Sequence, residues 1–142
     1  MKRWTNCMAT AAAVLMVTAG AASAQSPLNA EVPFAFYVAG KVMEPGTIRV
    51  RTLSGSTGIR AILVTNFHSK SSYIVLPYGV DDPPKTWIAA GQPKLGFDCT
   101  TGVCILARVW YGQGYAYSFR GPKTRGGEML LTEIAMKPDK GD

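Results

Sequence analysis

The sequence predicts a small antiparallel all-β domain, a β-sandwich or β-barrel of about seven to nine short strands behind an N-terminal export signal. Three observations predict it. Short stretches rich in Val, Ile, Phe, Tyr and Thr alternate apolar and polar residues with a period of two. Glycine and proline, 15 and 9 of the 142 residues, fall between those stretches at fairly regular intervals and punctuate them. No long stretch carries the helical spacing of apolar residues, and no fixed-period repeat suggests a propeller or solenoid.

The first segment reads as a secretory signal. Lys2 and Arg3 make a basic start, Ala11 to Val17 an apolar centre, and Ala22-Ser23-Ala24 the small-residue site that precedes cleavage between Ala24 and Gln25. A spanning helix wants about 20 strongly apolar residues, whereas this centre is short and is followed by Gly20, Ser23 and Pro27. Residues 1–24 are therefore expected to leave, with no transmembrane span in the mature chain and a periplasmic or extracellular destination. Removing 24 of 142 residues leaves 118, and losing Lys2 and Arg3 takes the net charge from +6 to +4. That is a weak footprint for nucleic acid. Hydrophobic and charged fractions of 47% and 17% exclude a disordered tail. A chain this size buries enough surface for one core without a metal or cofactor, so no cofactor is expected.

The strands follow in order. Residues 31–38 alternate Val32, Phe34, Phe36 and Val38 against Pro33, Ala35 and Tyr37, with Pro33 favouring an early or edge position. Turns at Ala39-Gly40-Lys41 and Glu44-Pro45-Gly46 lead to residues 47–52, where Ile48 and Val50 give an oily face and Arg49 and Arg51 a charged one. Residues 59–66 and 72–78 flank a polar connection and read as a hairpin. Asp81-Asp82-Pro83-Pro84 reads as a loop, because prolines lack donors. Residues 86–89, 94–98, 105–111 and 115–119 are further strand candidates. Residues 129–136 fit strand or helix and are read as a closing strand; residues 137–142 read as a flexible tail after a domain spanning 25–136.

Cys7 leaves with the signal, so Cys99 and Cys104 are the pair that reaches an oxidising compartment. Four residues separate them, with Gly102 available for a positive φ, which suits a hairpin whose facing Cα atoms lie about 4.5–5.5 Å apart. A structural disulfide is expected, worth about 2 kcal/mol for so short a ring. The C-x-x-C spacing of a redox pair is missing. His68 is the sole imidazole, too little with two cysteines for a zinc site, and no G-x-S-x-G elbow supplies a nucleophile for it. A hydrolase built on His68 is thus the weakest function class, and a calcium site at Asp81 and Asp82 lacks further oxygens.

The most distinctive stretch runs from Arg108 through Trp110, Tyr111, Gly112-Gln113-Gly114, Tyr115 and Tyr117 to Arg120. Arg108, Trp110, Tyr111, Tyr115, Tyr117 and Arg120 are the candidate ligand-binding residues, because aromatics interleaved with arginines can stack on sugars or bases. On two paired strands the same rings alternate into a core, and that packing role is the stronger reading. Rings that reach solvent in an exported protein point to a carbohydrate or peptide surface.

The segments Val32-Pro33-Phe34-Ala35-Phe36-Tyr37-Val38, Glu44-Pro45-Gly46 and Lys94-Leu95-Gly96-Phe97 resemble a family of small exported bacterial β-rich proteins of unknown function, with a V-P-F-x-F-x-V start, a Pro-Gly turn and a K-L-x-F strand. The resemblance implies export and a β fold and transfers no catalytic residue; Cys99 and Cys104 depart from its common pattern. Together these readings predict a non-enzymatic exported β domain with a binding or structural role in the envelope or outside the cell. The alternative is a β-barrel carrier for a small apolar ligand or glycan, with a cavity lined by Phe34, Phe36, Tyr117 or Phe119.

Overall fold

Two β-sheets stacked on a shared apolar interior, with open edges and no barrel closure, form the architecture of this computed structural model. It describes residues 26–55, 58, 60–119 and 129–139; the expected signal segment, its cleavage point at Ala24 and Gln25, and Arg120 lie outside them. The elements are β1 (Leu28–Val32), β2 (Phe36–Val38), β3 (Lys41–Met43), β4 (Gly46–Ser54), β5 (Arg60–Asn66), β6 (Ser71–Val75), β7 (Gly79–Asp81), α1 (Lys85–Ala90), β8 (Lys94–Thr100), β9 (Val103–Trp110), β10 (Ala116–Ser118), β11 (Leu130–Ala135) and β12 (Lys137–Pro138).

The first sheet has the order β12-β1-β4-β5-β6, and the second runs β11-β8-β9-β10-β7 with the β2–β3 hairpin attached to β9. Pairing is antiparallel except where β2 meets β9 in parallel at Tyr37 and Ile105. Among the described elements the chain changes sheets from β1 to β2, from β3 to β4, from β6 to β7 and from β11 to β12. The interior is filled from one sheet by Val32, Ile48, Val50, Ile62 and Val64 and from the other by Phe36, Leu95, Phe97, Leu106 and Val109. Phe34 and Phe36 both meet Phe97 edge-on, at 5.1 and 5.0 Å between ring centroids. Each such side chain contributes about 1.5–3 kcal/mol on burial. The alternation expected over 47–52 holds, with Ile48 and Val50 buried and Arg51 exposed.

Several boundaries differ from the sequence reading. Residues 31–38 are two strands, not one: β1 ends at Val32, paired with Gly46, and β2 begins at Phe36 in the other sheet. Pro33 has no donor to continue the ladder and sits at the break. Residues 86–89, expected as a strand, lie in the helix α1, whose amides at Trp87 and Ile88 bond back to the Pro84 carbonyl and which ends at Gly91. Pro84 presets the first turn and Gly91 supplies the left-handed cap, so two punctuating residues outweigh a four-residue strand signal. Asp81 belongs to β7 and not to the loop. The expected tail is held at its start: Lys137 and Pro138 pair with β1, and Asp139 accepts from Asn29 at 3.0 Å and pairs with Arg49. The ambiguous segment 129–136 is a strand over Leu130–Ala135, on the edge beside β8.

Candidate functional site

β9 carries the alternation that builds the site. Val109 points into the sandwich, whereas Trp110 points to the outer face of the second sheet, where Trp87 and Ala116 form a small separate core with it. Gly96 makes that core possible: a Cβ there would lie 3.0 Å from the Trp87 ring and 3.4 Å from the Cβ of Arg108. The two indoles sit 6.3 Å apart at 32°. α1 is therefore a short cover that lays one large ring over the outside of the sheet.

Beyond Trp110 the chain turns through Tyr111, Gly112, Gln113, Gly114 and Tyr115 before entering β10. The shape of this loop is set by two contacts. Trp110 donates its indole N–H to the Gly114 carbonyl at 3.2 Å. Gly112 has φ +92° and lies against Pro93, where a Cβ would sit 3.2 Å from the proline ring, so only glycine meets both conditions. Tyr115, held at the loop's end, is 63% exposed, while Tyr117 two residues later is buried in the main core.

The loop divides two grooves that share Gln113, Gly114 and Tyr115 as a wall. One, of about 730 Å³, is completed by Asp82, Pro83, Lys85, Ile88, Trp110 and Gly112. Trp110, only 3% exposed, is its floor, and exposed Ile88 and Tyr115 are its apolar sides. The other, of about 370 Å³, is completed by Arg60, Val80, Tyr111 and Tyr117.

Side chains from both sheets meet in the smaller groove. Thr52 on β4 donates to the Tyr111 hydroxyl at 2.7 Å, and Arg60 at the start of β5 donates from Nη1 to the Tyr117 hydroxyl at 2.6 Å. The two tyrosine rings are edge-to-face at 5.9 Å. Burial pushes the Tyr111 phenol up to about 12, with a smaller contribution from Tyr117 and an opposing one from the Thr52 bond, so it stays protonated at neutral pH. The Tyr117 phenol next to the exposed Arg60 guanidinium raises the pKa of Arg60.

The sequence-selected residues thus separate. Arg108 and Trp110 lie on the outer face of the second sheet, Tyr117 lies in the interior, Tyr111 packs partly buried against that interior, and Tyr115 faces solvent. They do not form one continuous stacking platform, because alternation along β9 and β10 sends neighbouring rings to opposite faces. Arg60, Thr52, Gln113 and Trp87 were not selected from the sequence. Gln113 between two glycines was a usable signal; Arg60 and Thr52 sit far from the aromatic segment in the chain and reach it only through sheet stacking.

Elsewhere, Cys99 and Cys104 face each other across β8 and β9 as a disulfide, with Cα atoms 4.0 Å apart. His68 lies exposed beyond β5 and shares a shallow cleft with Glu31 and Thr47, but the Thr47 hydroxyl donates to Glu31 at 2.7 Å. Asp81 accepts from Ser118 at 2.5 Å. Among the described residues, no cluster of three or more His, Cys, Asp or Glu could hold a metal, and no helix is long and apolar enough to cross a membrane. No family model, curated protein or solved structure matches the chain. What the geometry defines is a two-sheet sandwich that presents a shaped aromatic loop between two grooves.

Proposed function

We propose that the chain is an exported, non-catalytic β-sandwich module that binds saccharide at the Tyr115 loop, in the envelope or outside the cell. The observation that carries this reading is Tyr115, an exposed ring on a loop of defined shape, forming the wall shared by two grooves. A pyranose offers one apolar CH face and a rim of hydroxyls, and it is matched by an aromatic side wall with a few polar groups beside it. Ile88, Trp110 and Tyr115 supply the apolar part, and Asp82, Lys85 and Gln113 the polar part.

The other classes have less support. Phe34, Phe36, Tyr117 and Phe119, the expected lining of a carrier's cavity, instead pack in or against the main core, the first three in ring-on-ring contacts with Phe97 and Tyr111. His68 has a neighbouring hydroxyl, but that hydroxyl is committed to Glu31. Export is favoured by the signal-like start, by a hairpin disulfide that needs an oxidising compartment, and by the resemblance to small exported β-rich proteins.

The test is titration of the full chain with a panel of neutral and acidic oligosaccharides, read by tryptophan fluorescence, to which the groove's Trp110 contributes. Tyr115→Ala should weaken the best ligand tenfold or more while leaving the thermal midpoint unchanged, since the ring is exposed. Binding that survives Tyr115→Ala unaltered, or a panel with no binder, would sink the reading.

A further inference from the structure

The smaller groove has an unusual chemical lining: Arg60, Gln113, Val80, the Gly114 backbone and Tyr111, Tyr115 and Tyr117, with no carboxylate among the described residues that line it. Its two inner tyrosines both accept a hydrogen bond, Tyr111 from Thr52 and Tyr117 from Arg60, so each phenol's own proton is left to donate elsewhere. Tyr111 stays in its protonated, donating form throughout the ordinary pH range. Arg60 spends one N–H on Tyr117 and is anchored by it, while the rest of its fork is exposed. Among the described residues the ion pairs are Arg49 with Asp139 and Lys94 with Glu133, and Arg60 has no acidic partner. Guanidinium and phenol donors therefore converge where, among the described residues, no acidic side chain meets them.

We infer that this groove takes a carboxylate, and that the saccharide bound at the Tyr115 loop is an acidic one whose ring lies on Tyr115 and whose carboxylate reaches Arg60. This rests on the saccharide reading above and names the ligand class for it. Tyr115 borders both grooves, so one sugar ring against it can extend its substituent into the smaller groove while the neighbouring residue of the chain occupies the larger. The guanidinium fork fits a carboxylate with two parallel bonds, and Tyr117 fixes its orientation in advance. A lysine at position 60 would present a point charge without that fork.

The experiment compares trigalacturonic acid with its fully methyl-esterified form, which keeps the shape and removes the charge, by calorimetric titration of the full chain. The acid should bind about tenfold or more tightly than the ester at low salt, with the difference shrinking as salt rises. Arg60→Gln should bring the acid down to near the ester's affinity while weakening the ester far less, since the ester carbonyl keeps only a neutral hydrogen bond to lose; Arg60→Lys should fall between. Tyr117→Phe, which removes the anchor and keeps the ring, should cut the acid's advantage, and amide spectra of each variant check that the sandwich is intact. Acid and ester bound equally, or an Arg60→Gln protein that keeps the preference, overturns the carboxylate site while the saccharide reading stands. Displacement of the trisaccharide by acetate at similar affinity overturns the acidic-sugar assignment, because the ring would then contribute nothing. If neither trisaccharide binds, the acidic class is overturned, and the wider panel judges the saccharide reading separately.

Discussion

The two ends of β9 are built on opposite principles. At its start the strand leaves a turn made only of Thr101 and Gly102, closed by the Thr100–Val103 pair and clamped one step further in by Cys99–Cys104. At its end it opens into the Gly112–Tyr115 loop, which no covalent bond holds and which is shaped by an indole hydrogen bond, the Pro93 contact and the Trp87–Trp110 pair. A cross-link fixes a hairpin whatever lies outside it. The other end depends on a small outer-face core in which the described residues are Trp87, Trp110 and Ala116, supplied by three different elements. The loop that carries the proposed site is therefore the one whose shape can be lost by changing a residue in the neighbouring helix.

The largest effect is expected from removing that cover. Trp87 is fully buried, and Trp87→Ala should cost about 3–5 kcal/mol, the range for truncating a large aromatic. Amide exchange should rise first at Gly112 to Tyr115, ahead of the Cys99–Cys104 strand pair, so the loss would be read as local loosening at one end of β9. Trp87→Phe sharpens the same point. The Trp87 indole N–H is buried with no hydrogen-bond partner among the described residues, so the smaller ring gives up packing without giving up a bond, and its cost should be well under that of alanine. Equal losses for the two variants, or exchange rising uniformly along β9, would show that the outer core does not control the loop.

How much of this asymmetry was readable in the sequence differs between the ends. The clamp was legible, because two cysteines with a glycine between strand candidates define a local object that needs no knowledge of the rest of the fold. The all-β class and the inward faces of β4 and β5 were legible for the same reason: a period of two is a local signal. The cover was not. α1 has six residues, too few to show helical periodicity, and its Thr-Trp-Ile-Ala core reads equally as strand. The pairing of Arg60 with Tyr117 spans 57 positions and arises only because β5 and β10 lie in facing sheets. The split of residues 31–38 was half visible, since Pro33 marked an interruption but not the change of sheet that follows it.

At the other end of β9 the expected effect is smaller. Replacing Cys99 and Cys104 together by serine should cost about 2 kcal/mol, the loop-closure value for a ring this short, read as a lower denaturant midpoint. Saccharide affinity at the Tyr115 loop should be unchanged, because the clamp and the loop lie at opposite ends of the strand. A double serine variant that loses binding while staying folded would mean that the two ends are coupled through β9, and the contrast between them would fail.

The smallest effect concerns the turn inside the clamp. Thr101 has φ +38° and Gly102 φ +81°, the backbone of a two-residue turn that favours Asn-Gly, and a β-branched residue at the first position is under strain. Thr101→Asn keeps a small polar side chain that accepts this conformation and should stabilise the domain by about 0.5–1 kcal/mol. The effect should be larger in the protein lacking both cysteines than in the oxidised one. With the bond in place the denatured chain is already held in a closed ring around the turn, so part of the asparagine's preference is expressed in both states and cancels; without it, the denatured chain is free and the preference falls mainly on the folded side. A double-mutant cycle on denaturant midpoints measures this directly. Full additivity would indicate that the clamp and the turn act on the hairpin independently, whereas a gain confined to the serine background would show that the disulfide had been masking a strained turn.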